Sequence, residues 1–181
     1  MSDGETLVFV VGVYPDLVPA RRDFQAVRDL YYETSLMDAF DIAVVGKQDT
    51  GKIKIFRKYE QPTEYGELLG PGWGLATGLA VALYPGAPFG SGFLTGDAPA
   101  AIGINAIAAH VARSLDRDDL REIGEYLDPA PAGLIVAAEA GVGTDVRQVM
   151  AEAEQVRPWE IDLDREGLNH DIRDAYRQAT A

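Results

Sequence analysis

Apolar runs and turn signals alternate along the first third of the chain. Residues 6–14 form a continuous run of β-branched and other apolar residues, which is typical of a strand covered on both faces. Asp16 precedes a helical pattern and is expected to cap it, with Ala20, Phe24, Val27 and Tyr31 facing inward. The runs 40–45 and 52–58, on either side of the turn 48–51, predict a β-hairpin with one solvent-exposed face. The order β-α-β-β follows.

The last third of the chain predicts further helices and strands in alternation. Asp116 is expected to cap a helix, and this helix ends at the proline-rich segment 128–131. The apolar run 134–136 then predicts a buried strand. Thr144 is expected to cap the next helix. A half-buried strand follows this helix, and a helix over residues 165–178 closes the chain. The predicted inward side chains are Leu120, Ile123 and Leu127, then Val146, Val149, Met150 and Ala153, then Trp159, Ile161 and Leu163, and finally Leu168, Ile172 and Tyr176.

The middle of the chain has a different composition, with no charged side chain in residues 68–96. Pro85 and Pro88 interrupt one apolar helical segment, and Asp97 with Pro99 starts another, so residues 68–115 predict a glycine-rich apolar helical hairpin. Its small residues recur every four positions, at Gly70, Gly74, Gly78, Ala82, Gly86 and Gly90. On a helix the first four of these positions would form a smooth ridge that another helix can approach closely.

These elements together predict one domain over residues 1–181, of the α/β class in its α+β form. The element order contains a split β-α-β core of ferredoxin-like type, into which the hairpin is inserted and to which a C-terminal β-α extension is added. Folds of this type host many unrelated functions, so the fold does not choose among them.

Charge and composition exclude several classes of function. The 29 acidic and 16 basic residues give a formal net charge of -13, and no basic patch stands out, so nucleic acid is not an expected partner. The chain has no cysteine and two histidines, so no metal site or cofactor is expected. The start of the chain, residues 1–6, lacks the basic and apolar regions of a signal peptide, which predicts a cytoplasmic location.

Residues 46–53 imitate a phosphate-binding loop, but the similarity is superficial. Ile53 stands where such a loop needs serine or threonine, and it opens a strand rather than a helix. A β-turn is therefore the favoured interpretation, and no catalytic residue is assigned in the chain.

His110 lies in an apolar helical pattern, and three interpretations of it stay open. It is a general base in a cleft, a proton-sensitive contact, or a hydrogen-bonded histidine near an interface. With Tyr59 and Trp73 it is also a candidate for lining a small-ligand pocket where the hairpin meets the sheet. The alternative is that these aromatic residues only seal the hairpin to the core. His170, between Asn169 and Asp171, is expected to be a hydrated surface residue.

Several motifs are shared with one known family. They are residues 10–13, the hairpin 47–54, the pattern Gly72-Trp73-Gly74-x3-Gly78 with its proline break, the helix 116–127, the run 134–136 and the terminal β-α pair. In these the chain resembles a bacterial family of predicted membrane proteins that is labelled a domain of unknown function and numbered twelve sixty-nine. The resemblance implies a ferredoxin-like core with an inserted glycine-rich hairpin, a membrane character, and no established catalytic residues. Phe93, Leu94 and Asp97 depart from the small apolar residues expected there and weaken the membrane interpretation.

Three functions stay open on these grounds. The leading hypothesis is a non-enzymatic protein that self-associates into a homo-oligomer through the glycine-rich hairpin. The second is a membrane-inserting or membrane-associated protein that uses the same hairpin, although each of its halves is shorter than the roughly 20 apolar residues that a spanning helix needs. The third is a small-ligand-binding module or enzyme with a pocket at the junction of hairpin and sheet.

Overall fold

The computed structural model describes residues 4–34, 41–47, 53–56, 75–84 and 98–180. These residues form one five-stranded antiparallel sheet and six α-helices, which confirms the α+β class. The strands are β1 (Gly4–Tyr14), β2 (Asp41–Lys47), β3 (Ile53–Phe56), β4 (Ala132–Glu139) and β5 (Gln155–Asp164). The helices are α1 (Leu17–Thr34), α2 (Leu75–Leu83), α3 (Ala98–Ser114), α4 (Arg117–Leu127), α5 (Gly143–Val149) and α6 (Arg165–Thr180). The predicted element order is confirmed.

The sheet interleaves two β-α-β units. Its strand order is β3-β2-β4-β1-β5, so β4 separates β1 from β2, and β1 separates β4 from β5. Val10 in β1 is paired with Val136 in β4 on one side and with Pro158 in β5 on the other. The hairpin partner β3 extends the sheet beyond β2. The ferredoxin-like classification and the division into one domain with an insertion at 68–115 stay predictions.

Helices cover the sheet on two faces, which is why β1 and β4 are apolar on both sides. On one face α1 and α5 bury a core that includes Val8, Val10, Phe24, Val27, Ile42, Val44, Leu134, Val136, Val142 and Val146. On the other face α2, α3, α4 and α6 bury a second core that includes Phe9, Val11, Ala43, Val45, Leu79, Ile107, Ile123, Ile135, Trp159 and Leu168. The strict alternation predicted for β5 is confirmed, because Trp159, Ile161 and Leu163 are buried between exposed neighbours.

Two of the three predicted helix caps are confirmed. Asp16 accepts a hydrogen bond from the Val18 amide at 2.8 Å, and Asp116 accepts one from the amide of Asp118. The Thr144 cap is wrong. A short 3-10 helix, Ala140–Val142, leads directly into α5, so the helix begins at Gly143 and has no side-chain cap. The prediction that α5 extends to Ala153 is also wrong, because the chain leaves helical geometry at Met150.

The described part of the hairpin packs within its own chain. Six consecutive residues of α2, from Leu75 to Ala80, are buried, and several of them lie in the core under the sheet. A Cβ atom added at Gly78 would lie 2.6 Å from Ile107 Cγ2 and 3.3 Å from the backbone nitrogen of Ala108. The absence of a side chain at this position therefore lets α2 and α3 approach each other closely.

The rest of the predicted ridge is only partly covered by the structure. Ala82 is half-buried in α2, whereas Gly70, Gly74, Gly86 and Gly90 lie outside the described residues. None of the described helices has both the length and the apolar character that a membrane crossing requires. Self-association through the hairpin stays a prediction. Substitution of Gly78 cannot test it, because that change would disturb the fold of the single chain.

Candidate functional site

His110 lies on the face of α3 that packs into the molecule. His110 is only 7% exposed, and its neighbours on α3, Ile107 and Val111, are fully buried in the core on the same side of the sheet. The facing helix α6 contributes Leu168, which is 4% exposed. The imidazole is thus buried next to the apolar core that α3 shares with α6.

Asp171 on α6 fixes the orientation of the His110 ring. The Nδ1 atom of His110 lies 2.8 Å from Asp171 Oδ2, and the same oxygen accepts a hydrogen bond from Arg113 Nη2 at 2.5 Å. A carboxylate can only accept hydrogen bonds, so Nδ1 carries the proton and donates it. In the neutral ring Nε2 is then an acceptor, with its lone pair pointing away from Asp171. The hydrogen-bonded histidine near a helix interface is the interpretation that this geometry supports.

The second ring nitrogen of His110, Nε2, differs from Nδ1 in its hydrogen bonding. His110 Nε2 is buried and has no hydrogen-bond partner among the residues that the structure describes. Buried polar atoms are paired in the large majority of cases, and each unpaired one calls for an explanation. The arrangement is a histidine that a carboxylate orients through Nδ1 and whose Nε2 has no partner in the described part of the chain.

Trp159 on β5 carries another buried nitrogen without a partner in the described part of the chain, its indole Nε1. The Tyr126 ring packs edge-on against the indole, with centroids 5.6 Å apart. The Arg157 guanidinium lies 4.7 Å from the centroid of the indole ring and also pairs with Glu122 at 2.6 Å. These contacts fasten α4 to β5, and the aromatic and cation–π contacts stabilise that junction.

A polar cluster on the opposite face of the sheet centres on Asp23 in α1. This carboxyl is 2% exposed and accepts hydrogen bonds from the Tyr14 hydroxyl at 2.8 Å and from the Glu152 amide at 3.1 Å. Burial raises the pKa of Asp23, against the lowering effect of these two hydrogen bonds. Burial also raises the pKa of Tyr14, and the hydrogen bond to Asp23 raises it further. The cluster ties α1 to the end of β1 and to the turn before β5.

Tyr14 is expected to make the fold sensitive to alkaline pH. Its folded pKa lies above the ordinary value of 10.0, so its contribution to stability is complete below that pH and is lost above it, where only the unfolded chain ionises. We expect the Tyr14→Phe variant to lose less stability between pH 10 and pH 11 than the wild type, by about 1 kcal/mol. Urea denaturation at both pH values measures the difference. Equal losses in the two proteins would contradict the assignment.

The structure covers only part of the predicted sites. Of the candidate pocket, Tyr59 and Trp73 lie outside the described residues, and His110 is found with Asp171 and Arg113 instead. His170 is exposed, as predicted. The described residues contain no group of three histidine, cysteine or acidic side chains that would hold a metal ion. Sequence reasoning did not assign roles to Asp23 and Asp171.

The two glutamates of the turn before β5, Glu152 and Glu154, are exposed. Glu152 forms an ion pair with Arg22 at 3.0 Å, and both side chains are largely exposed. An ion pair of this kind contributes little to stability, about 0–1 kcal/mol. The exposure of both glutamates is that of a solvated surface.

Comparison with known proteins finds no relative of this chain. No protein-family model, no curated protein and no solved structure matches the chain, so its resemblance to the family of unknown function stays a prediction.

Proposed function

We propose that the chain is a small-ligand-binding protein whose site is centred on His110 Nε2, between α3 and α6. The observation that supports this function is the contrast between the two ring nitrogens. One is held by Asp171 at 2.8 Å, and the other is buried with no partner among the described residues. The sequence already placed His110 in a candidate ligand pocket, and the structure adds Asp171 as the residue that orients its ring.

The unpaired acceptor at His110 Nε2 has an energetic cost. A buried polar atom without a hydrogen bond costs about 1–3 kcal/mol relative to a paired one. A methionine at position 110 would fill a similar volume on α3 without that cost. The imidazole is therefore a poor choice for packing alone, and a bound molecule that donates to Nε2 would recover the lost interaction.

Asp171 and Arg113 prepare the ring for such a ligand. The carboxylate fixes both the orientation and the proton position of the imidazole before any ligand binds, and Arg113 holds the carboxylate in turn. A group held in place in this way loses little freedom on binding, which favours affinity. The described residues offer no hydroxyl within hydrogen-bonding distance of Nε2, so binding is better supported than catalysis with a protein nucleophile.

Native mass spectrometry of protein purified without denaturant tests the proposal. The wild type is expected to carry a discrete small-molecule mass, whereas His110→Met is expected to appear as the bare chain. In His110→Met, Asp171 keeps its pairing with Arg113, so we expect this variant to resist urea at least as well as the ligand-free wild type. His170→Met, at an exposed position, is the matched control and should keep the ligand. A bare wild-type mass would contradict the proposed function.

A further inference from the structure

We infer that the ligand of His110 is an uncharged molecule with an apolar body and one hydroxyl or N–H group that donates to Nε2. This inference rests on the proposed function and adds the chemistry of the ligand. It follows from three features of the site, which are the proton position in the imidazole, the charges around it, and the character of the neighbouring side chains.

The proton position decides which partner fits. Because Asp171 Oδ2 accepts from Nδ1, the neutral ring offers only a lone pair at Nε2. A carbonyl, an ether or an ionised carboxylate would place a second lone pair against the first. A hydroxyl or an N–H group would instead complete the hydrogen bond, so the ligand must be a donor at this point.

The charges around the ring argue against an ionic ligand. Asp171 already accepts hydrogen bonds from His110 and Arg113, and its side chain is 32% exposed, so it is engaged and partly solvated rather than free to pair with a buried cation. An anion would meet the Nε2 lone pair and a chain with a formal net charge of -13. Burial of an unpaired charge of either sign is costly, which leaves an uncharged molecule.

The neighbouring side chains suggest the rest of the ligand. On α3, Ile107 and Val111 are fully buried, and they belong to the same core cluster as Leu168 of α6. A molecule that reaches Nε2 therefore enters a part of the protein that is rich in aliphatic side chains. Ligand sites commonly combine such apolar walls with one or two polar groups that fix orientation.

Phenol and toluene form a matched probe pair, because they share one ring and differ in a hydroxyl against a methyl group. In a His170→Gln protein labelled with ¹⁵N-histidine, His110 is the sole histidine, and its two ring resonances report on Nδ1 and Nε2 separately. Phenol is expected to bind about tenfold more tightly than toluene and to shift the Nε2 resonance, in keeping with one hydrogen bond. Benzoate is expected to bind more weakly than either.

The outcomes distinguish a failure of the proposed ligand chemistry from a failure of the proposed binding site. Equal affinity for phenol and toluene, or tightest binding of benzoate, would overturn the uncharged donor and leave the proposed site standing. Binding of none of the three would contradict the proposed function. Asp171→Asn is the second variant, because its amide can donate to Nδ1 and so let the proton move to Nε2. With the proton at Nε2, this variant is expected to bind anisole, which can only accept a hydrogen bond, more tightly than the wild type does. An affinity for anisole that is the same in both proteins would overturn the proton assignment.

Discussion

Replacing Asp23 with alanine is expected to lower the free energy of unfolding by about 3 kcal/mol. The reason is that the buried Tyr14 hydroxyl and the partly buried Glu152 amide lose their acceptor at once. Asp23 is 2% exposed, and without its carboxyl only the exposed Arg22–Glu152 ion pair is left of the contacts described above between α1 and the turn before β5. Urea denaturation at neutral pH measures the loss. A decrease below about 1 kcal/mol would mean that the two donors find other partners.

Three comparisons sharpen this test. Asp23→Asn keeps the size of the side chain and one acceptor oxygen, so we expect a smaller loss than in Asp23→Ala. Asp29→Ala removes an exposed carboxyl from the same helix and is expected to change the stability by less than ~0.5 kcal/mol. Tyr14→Phe removes one of the two donors, and its loss should not add to that of Asp23→Ala, because the two groups share one hydrogen bond.

The pH dependence of the same variant provides an independent check. Because the folded pKa of Asp23 is raised above 3.8, the stability that its protonated form contributes is complete below that value and falls as the pH rises through the folded pKa. The difference between wild type and Asp23→Ala is therefore expected to be largest near pH 4 and to shrink at higher pH. A difference that grows with pH would show that the carboxylate, rather than the carboxylic acid, is the better-stabilised form.

The parts of the fold that follow one periodicity can be predicted from the sequence. The period of two in β5 and the continuous apolar run of β1 each reflect how many faces of a strand are covered. The strand order cannot be obtained in this way, since nothing in the local pattern shows that β4 lies between β1 and β2. The residue at which α5 ends cannot be predicted from the local pattern either. The Glu152 amide donates to Asp23, 129 residues away, where the sequence alone predicts one more helical turn.

For the polar sites, too, the sequence predicts one property and not another. Asp23 is three residues after Ala20 and four before Val27, so helical spacing already places it on the inward face of α1. In the same way, Asp171 is three residues after Leu168 and shares its face of α6. Spacing can thus show that a carboxyl is inward, but not which donor it meets. The partner of Asp171 is His110, 61 residues earlier in the chain, and only the packing of α3 on α6 brings them together.

Replacing Gly78 with alanine is expected to destabilise the chain by about 1–3 kcal/mol, although alanine is the better helix former. The added methyl group would lie 2.6 Å from Ile107 Cγ2, a distance that real Cβ atoms do not reach. Isoleucine in a helix has one strongly preferred rotamer, so Cγ2 cannot easily swing aside. Backbone atoms of Ile107 and Ala108 at 3.3 Å block the remaining direction, and α2 must move away from α3.

Gly124 on α4 is the matched control for Gly78. The nearest atom to a Cβ atom there is Leu83 Cδ2 at 3.7 Å, an ordinary contact, so Gly124→Ala should gain about 0.5–1 kcal/mol from helix propensity. Opposite signs for the two alanine variants in thermal or urea denaturation are the expected result. Ile107→Ala removes the clashing methyl group, so the double variant with Gly78→Ala should be more stable than the sum of the two single losses predicts. If both glycine variants are stabilised, α2 and α3 are held together by something other than close contact at Gly78.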